Sequence, residues 1–77
     1  MRYETNGDAD IIIQMGGPER TRIISKYSLK WEGLLGNAKY ESYARAVYLG
    51  EGSWDDLYEI DEWEAKDMLC KWGYKEQ

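Results

Sequence analysis

The segment from Asp61 to Gly73 carries the strongest structural signals in this chain, and it limits how the rest can fold. Asp61 followed by Glu64 is the pattern of a helix-capping box, and acidic residues in a first turn favour the positive end of the helix dipole. Glycine is the residue that most often follows the last turn of a helix. The segment therefore predicts an α-helix over residues 61–72.

This helix has one apolar face, formed by Ala65, Met68, Leu69 and Trp72. Their spacing places them on a single stripe, which needs a second apolar layer to pack against. At roughly 100° per residue, Trp63 lies about 150° away from that stripe. We therefore expect the four apolar side chains to pack on a sheet and the Trp63 ring to point elsewhere.

The N-terminal third is rich in strand and turn signals. Residues 2–5 and 9–15 flank Asn6-Gly7-Asp8, and Asn-Gly is a strong turn dipeptide. Ile11-Ile12-Ile13 is β-branched throughout and favours an extended backbone. We predict a strand over 9–15, followed by a turn at 16–19.

Two later segments have two interpretations each. Residues 20–32 alternate in polarity as a strand does, although a helix running from Pro18 to Leu35 also fits. Residues 39–49 favour a strand paired with 54–60. They also fit an amphipathic helix that Asn37 caps and Gly50 ends. The helical interpretation places these side chains on one face: Tyr40, Tyr43, Ala44, Val47 and Tyr48.

Together these segments predict a small α+β domain. A chain that is 43% hydrophobic is too apolar for disorder, and 77 residues suffice for one thin core. We expect a single compact domain over 1–77, with an antiparallel β-sheet and the C-terminal α-helix 61–72 packed on it. A mostly helical fold after residue 17 is the alternative.

The negative charge is concentrated in the C-terminal half. Residues 1–36 are neutral, whereas residues 37–77 carry five positive and ten negative groups and account for the net charge of −5. An acidic surface repels nucleic acid and attracts basic partners. The longest strictly apolar run is Ile11–Ile13, far short of a membrane span, so we expect a cytoplasmic protein.

The residue types present argue against catalysis and metal binding. Without histidine the usual general base near neutral pH is missing, and a single cysteine provides neither a disulfide nor a zinc set. Residues 6–10 begin like a calcium loop, but Ile11 and Gly17 stand where glycine and glutamate are required. We expect no enzyme activity, no cofactor and no metal.

Residues 50–67 hold eight carboxylates and two tryptophans against one lysine. The acids from Asp61 onward are explained by the start of a helix, whereas those from Glu51 to Glu59 have no such local reason. We predict that this stretch binds a protein partner with a basic surface. The expected charged contacts are Asp55, Asp56, Glu59, Glu62 and Asp67, and the expected aromatic anchors are Trp54, Tyr58 and Trp63.

In type, a small acidic chain without histidine and with surface aromatics resembles phage or mobile-element inhibitors of nucleic-acid machinery, including anti-CRISPR proteins. That resemblance implies a non-enzymatic nucleic-acid mimic in a host cytoplasm. Two alternatives stay open. One is an RNA- or DNA-binding module that uses the basic residues Arg20, Arg22, Lys26 and Lys30. The other is an assembly subunit that forms a homodimer or larger homo-oligomer.

Overall fold

A five-stranded antiparallel sheet forms the centre of the molecule in residues 2–17, 20–50 and 57–75, the residues that the computed structural model describes. The spatial order of the strands is β4-β3-β2-β1-β5, so β2 is the middle strand and β4 and β5 lie at the edges. The strands are β1 (Arg2–Thr5), β2 (Ile11–Met15), β3 (Arg22–Ser25), β4 (Glu32–Gly33) and β5 (Tyr58–Ile60).

Two α-helices accompany the sheet within the same residues: α1 (Glu41–Leu49), preceded by a short 3-10 helix (Ala38–Tyr40), and α2 (Glu62–Trp72). The α+β class, the antiparallel sheet and the C-terminal helix are therefore confirmed. The helical alternative is right that α1 and α2 follow residue 17, but the sheet does not end there, because β3, β4 and β5 also follow that residue.

The predicted turn between the first two strands is stabilised by Asn6. Its carboxamide oxygen accepts the backbone N–H of Asp10 at 2.8 Å, and its backbone carbonyl accepts the N–H of Ala9 at 3.0 Å. This side chain mimics a backbone turn, as asparagine commonly does. The oxygen that suggested the start of a calcium loop is thus already engaged by the backbone.

The three consecutive isoleucines of β2 divide between the two faces of the sheet. Ile11 and Ile13 pack with Ile23, Leu34 and Tyr40 in a cluster that α1 covers, here called the α1-side cluster. Ile12 packs on the opposite face. Since neighbouring side chains of a strand point to opposite faces, three buried isoleucines in a row require a helix on each side.

The opposite cluster, here called the α2-side cluster, contains Ile12, Ile24, Ile60 and Ala65. The other three apolar residues of α2 that were expected to face the sheet pack against it: Met68, Leu69 and Trp72. The predicted packing face of the C-terminal helix is confirmed.

The predicted strand over residues 20–32 is wrong in extent. The chain is extended only over β3 and then turns, with the Ser25 carbonyl accepting the N–H groups of Ser28 and Leu29 at 3.2 and 2.8 Å. Lys26 also donates its backbone N–H to the Asp10 carbonyl at 2.9 Å. The two-residue strand β4 then returns along β3, so one predicted strand is a hairpin.

The predicted strand over residues 39–49 is wrong, and the helical alternative is right. Asn37 caps the 3-10 helix by accepting the N–H of Lys39, and Gly50 ends α1 in the left-handed conformation at φ +67°. The partner predicted for that strand, residues 54–60, is extended over Tyr58–Ile60 and pairs with β1 instead; 54–56 lie outside the described residues.

Neither helix in the described part of the chain is both long and apolar enough to cross a lipid bilayer.

Candidate protein-binding surface

The first part of the candidate surface is the edge strand β5. It pairs with β1, and no other described strand borders its outer side. Ile60 belongs to the α2-side cluster, so Tyr58, two residues earlier, points to the same side of the sheet, whereas Glu59 points to the opposite side. Tyr58 is 49% exposed, which leaves half of its ring for a contact.

Glu59 lies directly across from Glu4 in the β1–β5 pair. Two like charges in such a pair repel each other. Arg2 relieves this repulsion, because its guanidinium donates to the Glu4 carboxylate at 2.6 Å. That hydrogen bond raises the pKa of Arg2, and the charge of Glu59 acts in the same direction. Glu59 therefore belongs to a charge group with Glu4 and Arg2 that keeps one net negative charge on the sheet.

Asp61 and the first turn of α2 follow β5 directly. The Asp61 carboxylate accepts the backbone N–H of Glu64 at 2.7 Å, which confirms the predicted N-cap. Glu62 and Glu64 lie in the first turn, where the helix dipole favours negative charge. The local explanation for the acids from Asp61 onward therefore holds in the structure.

Trp63 points away from the core, as its position on the helix predicted. Its side chain is 76% exposed, and it belongs to neither apolar cluster. The Lys66 ammonium lies 5.4 Å from the centre of its ring. The folded chain thus leaves a large aromatic surface in water without using it for its own packing.

Two of the predicted charged contacts form ion pairs along α2. Glu62 lies 3.8 Å from the ammonium of Lys66, and Asp67 lies 2.9 Å from that of Lys71. The hydrogen bond from Lys71 to Asp67 raises the pKa of the lysine. All four side chains are more than half exposed, so the pairs contribute little stability and a partner's basic groups can replace the lysines.

The described residues of the candidate site fall into two groups. Trp63 and Asp67 are one turn apart on the outward face of α2, with Glu62 beside them, and Tyr58 lies on the same side of the sheet. Glu59 lies on the opposite side. Three further predicted contacts lie outside the described residues: Trp54, Asp55 and Asp56.

A strand over residues 20–32 would place the four basic residues of the nucleic-acid alternative on one face, but they do not share a strand in the structure. Arg22 is on β3, whereas Lys26 is in the following turn, with its ammonium 2.9 Å from the Asp10 carboxylate. Arg20 precedes the strand and Lys30 follows the turn. The turn at residues 25–29 separates these charges.

Residues outside the predicted site form a second surface feature. Tyr3, Gln14 and Arg22 are direct neighbours across β1, β2 and β3, and they line a groove between the sheet and α2, here called the α2 groove. Lys66 and Leu69 line its helix side. The strand positions of these residues were readable from the sequence, but their side-by-side placement depends on strand register.

No group of three or more histidine, cysteine, aspartate or glutamate side chains among residues 2–17, 20–50 and 57–75 is arranged to hold a metal ion.

Comparison with known proteins gives no relative for this chain: no protein-family model matches it, and neither the curated proteins nor the solved structures contain a significant match.

Proposed function

We propose that this protein is a non-enzymatic inhibitor that binds the basic, nucleic-acid-binding surface of another protein. Its acidic side chains would occupy positions that nucleic-acid phosphates otherwise take. The expected partner is a nucleic-acid enzyme or effector complex, and the setting is the cytoplasm of a host cell. In type this is the role of phage and mobile-element inhibitors, including anti-CRISPR proteins.

The observation that carries the proposal is the exposure of Trp63 among acids at the start of α2. A 76% exposed tryptophan offers a large apolar contact, and this residue type dominates the binding energy of many interfaces. Residues 58–72 contain five acids and two lysines, for a net charge of −3 (−5 + 2). Charge of this sign speeds encounter with a basic groove, while the ring supplies affinity after contact.

The outward face of α2 can be altered without loss of the core. We predict that the double variant Trp63→Ala, Asp67→Asn loses capture of the partner from a host lysate. Its thermal unfolding midpoint should stay within a few degrees of the original, because neither side chain is buried. Asp61 is left unchanged because it caps the helix.

A matched control removes similar groups elsewhere. Tyr27 is 79% exposed with the Lys26 ammonium 5.2 Å from its ring, as Lys66 is for Trp63. Glu41 forms an exposed i,i+4 pair with Arg45, as Asp67 does with Lys71. The double variant Tyr27→Ala, Glu41→Gln should capture the partner as well as the original protein does.

The captured protein must also respond to nucleic acid. Mass spectrometry should identify it as a nucleic-acid enzyme or effector, and duplex DNA or RNA added to the beads should release it. Undiminished capture by the Trp63→Ala, Asp67→Asn variant, or a captured protein that nucleic acid does not displace, would contradict the proposal.

A further inference from the structure

The α2 groove is a cavity of about 300 Å³ between the sheet and one side of α2. This volume is at the small end of the range of about 300–1,000 Å³ that ligand pockets occupy. The side chains around it combine aromatic and aliphatic surface with two cations, Arg22 and Lys66, and no acidic side chain lines it within the described part of the chain. In a chain with a net charge of −5, a cavity whose described lining carries only positive charge is unexpected.

Arg22 is held in one orientation by two contacts. Its Nε–H donates to the Gln14 side-chain oxygen, and its guanidinium lies 4.3 Å from the centre of the Trp31 ring. No carboxylate among the described residues pairs with it. Its remaining N–H groups are therefore available to an anion, and their direction is set before a ligand arrives.

The hydrogen bonds beside Arg22 also turn donors toward the groove. Arginine cannot accept a hydrogen bond, so Gln14 must present its oxygen to Arg22 and its NH₂ group to the other side. There the NH₂ group donates to the Tyr3 hydroxyl at 3.0 Å. Because that hydroxyl accepts from Gln14, its own proton is free to be donated. The sheet side of the groove therefore presents hydrogen-bond donors from the Tyr3 hydroxyl at one end and from the Arg22 guanidinium at the other.

The helix side adds a movable cation and an apolar surface. Lys66 is 3.8 Å from Glu62, too long for a hydrogen bond, and its contact with the Trp63 ring at 5.4 Å is on an exposed surface. Its ammonium can therefore turn toward a ligand at small cost. Leu69 packs against the α2-side cluster together with Trp31 and Tyr74, which provide flat ring surface at the groove. Donors and cations beside aromatic surface suit a ligand that is flat at one end and negative at the other.

We infer that the α2 groove binds a small ligand consisting of an aromatic ring with an attached anionic group, either a carboxylate or a phosphate monoester. Arg22, Lys66 and the Tyr3 hydroxyl hold the anion. Trp31, Leu69 and Tyr74 contact the ring. This inference does not depend on the proposed inhibitor function, which uses the outward face of α2.

Four probes test the chemistry of the ligand: 2-naphthoate, adenosine monophosphate, inorganic phosphate and uncharged adenosine. At about −0.3 kcal/mol per non-hydrogen atom, 2-naphthoate should bind with a dissociation constant on the order of 1 mM, and the larger adenosine monophosphate should bind no more weakly if the groove accepts a phosphate. Chemical shifts of the Trp31 indole N–H would follow the titration. The tighter of the two aromatic anions identifies the natural source as a carboxylate or a phosphate, and phosphate alone and adenosine should each bind more weakly.

Cys70 provides a second readout that locates the probe. It is the only cysteine in the chain, it is exposed, and it lines the groove. A bound aromatic anion should slow its alkylation by uncharged iodoacetamide with the same concentration dependence as the shifts. Alkylation at an unchanged rate under saturating probe would overturn the assignment of the site.

Two variants and their matched controls test the residues. Arg22→Gln should weaken binding of the preferred anion about tenfold, since bonds between charged groups are the strongest that the groove offers. Lys66 lies on an exposed helix face, so Lys66→Gln should weaken binding of the preferred anion about threefold without affecting folding. The controls Arg20→Gln and Lys71→Gln remove equal charge outside the groove and should have no such effect.

Three results would each overturn the inference. The first is that neither aromatic anion binds at a concentration about 10-fold above the expected dissociation constant. The second is that adenosine binds as tightly as adenosine monophosphate. The third is that the groove variants bind the preferred anion as tightly as their controls do. Because Lys66→Gln retains every core contact, loss of folding in Arg22→Gln would still leave this comparison decisive.

Discussion

Asp61 connects β5 to α2, the two elements that carry the described part of the proposed surface. Its carboxylate accepts the Glu64 N–H at 2.7 Å, and that amide has no partner inside the helix. The same carboxylate carries one of the negative charges near Trp63. Its capping role and its charge can be separated by substitution, because asparagine caps as well as aspartate does.

We predict that Asp61→Ala lowers the free energy of unfolding by about 1 kcal/mol, the usual effect of losing an N-cap. Asp61→Asn should stay near the original value, because the amide oxygen keeps the hydrogen bond. Urea denaturation followed by far-ultraviolet circular dichroism measures both. Equal destabilisation by the two variants would mean that the charge, rather than the cap, stabilises α2.

The difference between Asp61 and Gln14 explains which residues sequence reasoning can place. An N-cap contacts a backbone N–H only three residues further along the chain, so the contact between Asp61 and Glu64 could be predicted from the sequence. Gln14 contacts Tyr3 and Arg22, 11 and 8 residues away, through a register that turn lengths determine. The α2 groove therefore could not be predicted without the register, and the sequence alone grouped Arg22 with its neighbours Arg20, Lys26 and Lys30.

At the scale of elements, a single ion pair links the edge strand β4 to the 3-10 helix that leads into α1. The Lys39 ammonium donates to the Glu32 carboxylate at 3.1 Å. This hydrogen bond is the main reason that the pKa of Glu32 lies below its ordinary value of 4.5, and it raises the pKa of Lys39. The contact restrains a strand of only two residues.

Stability should depend on pH through this pair. Because folding lowers the pKa of Glu32, the stabilisation is present above pH 4.5 and is lost as the pH falls through the lowered value. We predict that Lys39→Gln has a lower thermal midpoint than the original at pH 7, and that the difference narrows below pH 4.5. Lys75→Gln, which removes an exposed lysine elsewhere, should show no such convergence. A constant difference across this range would exclude the pair as its cause.

Residues 39–49 show why element type was harder to predict than element position. The boundaries were right for a helical segment, since Asn37 caps the start of the 3-10 helix that leads into α1 and Gly50 ends α1. The tyrosine content nevertheless favoured a strand, and this propensity depends strongly on what the side chains contact. Here Tyr40, Tyr43 and Tyr48 pack on the α1-side cluster, and tertiary packing decides the outcome.

At the scale of the whole molecule, two thin clusters replace one thick core. The nine buried apolar residues in the described part of the chain are divided by the sheet, and each cluster is closed by one helix. In α2 this leaves three different faces: one packed on the sheet, one that carries Trp63 outward, and one that lines the α2 groove. The C-terminal helix, which the sequence predicted best, is therefore also the element on which both proposed binding surfaces depend.

The position of β2 between two neighbouring strands and two helices also determines how slowly its backbone amide hydrogens exchange with deuterium in the solvent. The amides of Ile12 and Ile13 lie in the middle strand and are covered on both faces, so no opening smaller than complete unfolding exposes them. The amides of Tyr58 and Glu59 lie in the edge strand β5, so a local separation of β5 from β1 is enough to expose them to solvent. Exchange at β2 should thus have the same denaturant dependence as global unfolding, whereas exchange at β5 should be faster and nearly independent of denaturant.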